Sequence, residues 1–339
     1  MNLRWQLAVL LVLILCLALP VNAHVPFSAD GNYDISTALT VEKPTKSYVI
    51  YGELHKAGGV AWYQFHMIPG DRLVISLMTP GYNTPVPDMI VMSPGTALSS
   101  EGLPKTVSVP KGYAAEIIRG KRPQKAEYEP FTPAAVFKVE SYSKENTAPG
   151  LYYLAVVSPA DETRYSIATG YAEEFTPSEW VLVPLNVITT HIWEGQSIIT
   201  IFTPFLAVVI LGFVVISRRE KRKDSHLSYS CWLATIAGLC YIGGAAITLV
   251  QMVRAIAVTG SSSSVALTLV FAIIPMALGI LALRMGRSSS NGTTKDRVFL
   301  ALIAILGLVF WAGLVIGPVL AIGAAVIPDH SGSSQPKIQ

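Results

Sequence analysis

The chain has 339 residues, 51% of them apolar and only 14% charged, with a formal net charge of +3 and a mean hydropathy of +0.48. That balance is too apolar for a wholly soluble protein, so part of the chain is expected in lipid. Of its three cysteines, Cys16, Cys231 and Cys240, none falls in the polar stretch between residues 24 and 196, which excludes a disulfide framework or a cysteine-ligated zinc site there.

Residues 1–23 carry one early cation, Arg4, an apolar run near Leu7–Leu19, Pro20, and small residues before Ala23. This is the order of a secretory signal peptide, with cleavage expected after Ala23. His24 would then be the mature N-terminus, and its free amine and imidazole form a copper chelate if a second histidine, His55, His66 or His191, comes close. Asp30, Asn32 and Asp34 place oxygen ligands at alternate positions, as calcium loops do. The EF-hand pattern then needs Gly and Glu where this chain has Ile35 and Val41, so a calcium site here would be of another kind.

From residue 24 to 174 short runs of alternating apolar residues are punctuated by Pro and Gly. Strands are expected at Tyr48–Leu54, Val60–Met67, Arg72–Met78, Asp88–Met92, Tyr113–Arg119, Ala135–Glu140, Leu151–Val157 and Arg164–Thr169. Tyr63, Phe65 and Met67 share one face of their strand, as do Leu73, Ile75 and Leu77, while His66 faces the other way. Eight strands at this spacing predict an all-β antiparallel sandwich or jelly roll. The segments Phe65-His66-Met67-Ile68-Pro69-Gly70-Asp71, Pro87-Asp88-Met89-Ile90-Val91-Met92, Gly150-Leu151-Tyr152-Tyr153-Leu154-Ala155-Val156 and Arg164-Tyr165-Ser166-Ile167 resemble the bacterial pre-peptidase C-terminal domain family. That resemblance implies a β-sandwich whose relatives bind calcium, collagen or glycans; the catalytic domain these modules usually accompany has no counterpart here.

No GxSxG, HExxH, P-loop or strand-to-helix GxGxxG pattern occurs, so the reading is of a non-enzyme. Residues 24–195 hold 13 basic and 18 acidic side chains, which argues against nucleic acid as a partner.

Residues 175–196 break the strand pattern. Pro184 is read as opening a helix with Leu185, Ile188 and Ile192 on one side, and Trp180 and Trp193 as anchors at a membrane interface. Four apolar runs follow, at 197–217, 229–250, 265–283 and 298–327, each long enough for a transmembrane helix of about 20 residues. The connector at 218–228 holds Arg218, Arg219, Lys221, Arg222 and Lys223, and that at 284–297 holds Arg284, Arg287, Lys295 and Arg297; the one between them, Gly260-Ser261-Ser262-Ser263-Ser264, holds no cation. By the positive-inside rule both basic connectors are cytoplasmic, and the N-terminal domain, the 251–264 loop and the tail at 328–339 are outside.

Gln251 and Arg254 are the strongly polar residues near a span. Glycines are frequent in the second run (Gly238, Gly243, Gly244), and Gly313 and Gly317 form a GxxxG pattern expected to pack helices, with Pro318 kinking the fourth. Together these features predict a four-helix, multi-pass integral membrane protein displaying a sandwich that recognises a glycan, a peptide or a partner protein. The alternatives are an accessory or scaffolding subunit of a larger membrane complex, and a copper enzyme built on His24.

Overall fold

In the structure, a computed structural model, residues 25–81, 83–95, 102–145, 147–223, 227–287 and 293–327 are described. The signal-peptide segment, His24 and the tail at 328–339 lie outside them. The chain forms two units: a β unit of residues up to Ile201 with Gln251–Val265, and a helical unit of Phe202–Val250 with the described residues from Ala266 on.

The β unit is a sandwich of two sheets. Its strands are β1 Val25–Ser28, β2 Leu39–Val41, β3 Tyr48–Leu54, β4 Val60–Met67, β5 Leu73–Thr79, β6 Asp88–Pro94, β7 Tyr113–Ile118, β8 Glu127–Glu129, β9 Ala134–Lys144, β10 Gly150–Val157 and β11 Thr163–Thr169. One sheet has the order β1-β3-β11-β5-β9-β8 and the other β2-β4-β10-β6-β7. The eight expected strands are present. The arrangement is not purely antiparallel, because β1 joins β3 and β2 joins β4 in parallel.

Alternation decides what lies between the sheets. Tyr63, Phe65 and Met67 from β4, Leu73, Ile75 and Leu77 from β5, and Ile50, Tyr152, Leu154 and Ile167 fill one core from which solvent is excluded. Within it the hydroxyls of Tyr63 and Tyr165 are 2.8 Å apart, so each buried phenol has a polar partner. Burial is the main reason both phenols titrate high, Tyr63 at about 12 and Tyr165 well above the ordinary value. His66 points out to solvent, as the alternation requires.

The helices that follow α1, Pro177–Trp193, are α2 Ile198–Arg222, α3 Tyr229–Thr259, α4 Val265–Gly286, α5 Thr294–Val309 and α6 Ile316–Val326; α1, the first turn of α2, the end of α3 from Gln251 on and Val265 fall in the β unit, and the rest make up the helical unit. Helices α2, α3 and α4 are long and apolar enough to cross a membrane. Antiparallel α3 and α4 approach closely through small residues: a side chain at Gly238 would meet the Gly279 carbonyl at 2.7 Å, and one at Gly286 the Cys231 carbonyl at 2.7 Å. That crossing sets Arg284 and Arg287 at the end of the unit where α3 begins, the end reached by Arg218, Arg219, Lys221, Arg222 and Lys223. Lys295 and Arg297 open α5 from the same connector.

The fourth apolar run is not one spanning helix. Trp311 (φ 52°), Gly313 (67°), Leu314 (57°) and Val315 (69°) take left-handed backbone, and the chain turns back so that α6 packs on α5. At 16 and 11 residues these helices are about 24 and 16 Å long, short of a ~30 Å hydrocarbon core. Gly313 and Gly317 therefore do not form a helix seam. With Gly307 they leave room for the buried ring of Tyr241, which any side chain at the three positions would strike at under 3 Å. Trp311 stacks on Phe271 with centroids 5.0 Å apart. Pro318 sits in the first turn of α6, where its missing N–H costs nothing, and does not kink a longer helix.

Candidate functional site

Helix α1 is shaped by strong local signals. Thr176 caps it through its hydroxyl, which accepts the Glu179 N–H, the Glu179 carboxylate accepts the Thr176 N–H in turn, and Pro177 stands at the first helical position. Pro184 is thus inside the helix and does not open it. The helix ends on Gly195 (φ 94°), with Gly195 N–H donating to the Ile192 carbonyl and Gln196 N–H to that of His191, a Schellman closure.

Three contacts seat α1 on the six-stranded sheet. Lys46, 4% exposed, reaches both carboxylate oxygens of Glu179 at 2.7 and 2.8 Å. Asn186 Nδ2 donates to the Pro26 carbonyl at 3.1 Å, and the Trp193 indole N–H donates to the Gly52 carbonyl at 3.1 Å. Trp193, expected at a membrane interface, is instead spent on β3, with its ring 4.8 Å from that of Tyr51 at 62°. Trp180 packs edge-on against Phe175. Ile188 is buried, whereas Leu182, Leu185 and Ile192 remain exposed, so the expected common face of Leu185, Ile188 and Ile192 is split.

Between α1 and the sheet lies a cavity of about 290 Å³. Outward-facing Tyr51 of β3, Ser76 and Met78 of β5 and Ala168 of β11 form its floor. The β8–β9 hairpin with Tyr128, Glu129 and Phe131 makes one wall, and Thr190, Trp193 and Glu194 of the α1 end make the other. Glu129 is the distinctive group. Its carboxylate accepts the Phe131 N–H at 3.2 Å, and burial pushes its titration up from the ordinary carboxylate range to about 7, only partly offset by that bond. Tyr51 is hydrogen-bonded to Thr190, yet burial, with Glu129 and Glu194 nearby, raises its phenol. Glu194 is engaged: its Oε2 lies 2.8 Å from His191 Nδ1 and accepts Gln196 Nε2 at 3.3 Å. Gln196 in turn exchanges two hydrogen bonds, 3.0 and 2.8 Å, with the buried Gln251. Arg254 is exposed.

Two of the expected calcium ligands, Asp30 and Asp34, bond within their own turn, and the third, Asn32, bonds to β4. Asn32 is buried, with its amide donating to the Trp62 carbonyl; Asp30 accepts the Tyr33 hydroxyl; Asp34 caps a single 3-10 turn through Ser36, whose hydrogen bonds hold its carboxyl below the usual range. Among the described residues, the grouping with ligand atoms close enough to share an ion is Glu53, His55 and Glu162, at the other end of β3 and β11. Its members are partly or fully exposed, and Glu53 is paired with Arg164 at 3.2 Å. For the copper reading, His191 is buried against Glu194 and His66 is exposed on β4, while His24 lies outside the described residues.

No protein-family model and no curated protein matches this chain. The cavity and its carboxylate were not foreseen from the sequence. The one sequence signal for Glu129 is the strand period, which sets Glu127 and Glu129 on the same face of β8.

Proposed function

We propose that this is a membrane-held binding module in which the sandwich recognises a ligand at the cavity beneath α1. The cavity carries the reading: a small concave site with several aromatic side chains and one strongly perturbed carboxyl is the usual form of a ligand pocket. The strand motifs shared with pre-peptidase C-terminal sandwiches, whose relatives bind ligands, are in keeping with it. In the proposed topology the sandwich faces away from the cytoplasm, and the basic segments Arg218–Lys223 and Arg284–Arg297 lie in it. At about 290 Å³ the space suits one small molecule or the end of a glycan or peptide, with the helices fixing the height at which it is presented.

The test uses the full chain in mild detergent. A panel of small solutes should raise the melting temperature of the native protein and leave Ala168→Phe, which fills the cavity from its floor, unshifted. Stoichiometric membrane partners in the same preparation, with no solute distinguishing the two proteins, would replace this reading by that of an accessory subunit.

A further inference from the structure

Resting on the binding role of the cavity, we infer that its ligand is a small organic ammonium ion, its positive charge held by the Glu129 carboxylate and set against the rings of Tyr51 and Trp193. The charge balance of the lining points to a cation. Glu127, Glu129 and Glu194 border the space, and the one basic residue among the described lining, Lys138, is an exposed rim residue that also borders the next groove together with Glu127 and Glu140. Glu194 is already engaged by His191 and Gln196, and Glu127 is exposed. Glu129 is the acid that faces the cavity with a single backbone donor on its carboxylate. An ionised carboxyl in such a place is costly unless an opposite charge joins it.

The aromatic geometry says which kind of cation. Tyr51 and Trp193, which both line the cavity, meet edge to face at 62° with centroids 4.8 Å apart. Aromatic rings lining a cavity attract a diffuse, weakly hydrated ammonium more than a metal ion, which would keep its water or demand several oxygen ligands. The trigger for binding follows from the same groups. Glu129 gains its negative charge as pH rises through about 7, while burial keeps the neighbouring Tyr51 phenol protonated over that range.

Choline and its uncharged carbon isostere, 3,3-dimethylbutan-1-ol, are the probes, titrated calorimetrically into the full chain in phosphatidylglycerol nanodiscs at pH 8. Choline should bind at least tenfold more tightly than the isostere. Glu129→Gln, which keeps the shape, should lose that preference, and binding should weaken at least tenfold at pH 5.5. A repeat in phosphatidylcholine nanodiscs identifies the source: a lower apparent affinity there means that lipid headgroups occupy the site, and an unchanged one means a free solute. Equal binding of both probes, abolished by Ala168→Phe, would overturn the ammonium inference and leave the cavity's binding role standing. Absence of choline binding to the native protein at pH 8 in both disc types would also overturn it, the binding role then being decided by the solute panel. A choline affinity unaffected by Glu129→Gln would equally remove the carboxylate from the proposal.

Discussion

Lys46 and Glu179 form an ion pair across 133 residues of chain, with the ammonium 2.7 Å from Oε2 and 2.8 Å from Oε1. Lys46 is almost wholly enclosed, its side chain 5% exposed, and Glu179 27%. Glu179 also closes the capping box of α1, so one carboxylate both starts the helix and holds it to the sandwich. Removing one partner of an enclosed pair strands the other. Lys46→Met should therefore cost about 3 kcal/mol, the low end of the range for buried pairs because Glu179 retains some water. Thermal unfolding of the full chain checks this, and a Lys46→Met, Glu179→Gln double variant should be less destabilised than the sum of its parts. Strict additivity would mean that the two side chains do not interact.

The same carboxylate predicts acid sensitivity. Burial, the largest single influence, pushes Glu179 up, but the hydrogen bonds from Lys46 and Thr176 together leave it below its ordinary value of 4.5. A carboxyl depressed in the folded state adds stability above its unfolded value and loses it as pH falls through the folded one. The docking of α1 should thus weaken as pH falls below the ordinary value of 4.5, seen as loss of protection of α1 amides in hydrogen exchange.

Glu129 predicts the opposite slope at higher pH. Its folded value of about 7 lies above the ordinary 4.5, so the folded state holds the proton more tightly and this contribution is lost as pH rises through 7. The full span is on the order of 3 kcal/mol by the ~1.4 kcal/mol per unit of linkage. Glu129→Gln should flatten the fall in stability between pH 5 and 8 and raise the melting temperature at pH 8. A native pH profile already flat over that window would remove Glu129 as a titrating group.

The central strands were legible because their side chains alternate: Leu73, Ile75 and Leu77 announce an inner face, and the structure buries all three. Strands β1, β2 and β8 escaped because three or four residues hold too little pattern, and a parallel edge pairing leaves no hairpin turn to read. In α1, the helix begins at the Thr176, Pro177 and Glu179 signals, five to eight residues before Pro184, and Pro184 is tolerated inside it. The run 298–327 is apolar throughout, and hydropathy carries no information about φ, so the left-handed turn at Trp311–Val315 was invisible. The cavity was beyond reach for a related reason: it is closed around Glu129 by Tyr51 of β3 and by Thr190 and Trp193 of α1, each 60 or more positions away in the chain.

Gly52 is required by a neighbour, not by its own backbone. A methyl group there would lie 2.5 Å from the Tyr165 ring on the paired strand β11, and moving that ring would break its bond to Tyr63. Gly52→Ala should cost about 2–3 kcal/mol, as overpacked cores do. Tyr165→Phe should cost about 1 kcal/mol, the net worth of one hydrogen bond. Gly81→Ala, where nothing comes nearer than 3.8 Å, is the control and should be close to neutral. Urea midpoints of the three variants give the ranking, and a harmless Gly52→Ala would mean that β3 and β11 are not in this register.

The turn between α5 and α6 makes the most direct prediction about topology. A fourth spanning helix would carry Ile327 to the side opposite Arg287; a hairpin of two short helices brings it back to the same side. Three non-glycine residues in left-handed backbone cost roughly 1–2 kcal/mol each, and the glycines that admit the Tyr241 ring and the stacking of Trp311 on Phe271 are what offset them. Single cysteines at Ile327, Arg287 and the exposed Lys111, in a chain with Cys16, Cys231 and Cys240 replaced by alanine, can be labelled in intact vesicles with an impermeant maleimide. Ile327 and Arg287 should label from one side and Lys111 from the other. Labelling of Ile327 together with Lys111 would restore a fourth crossing and remove the hairpin. Gly317→Leu, whose side chain would overlap the Tyr241 ring, should loosen the turn and give Ile327 mixed sidedness without affecting Lys111.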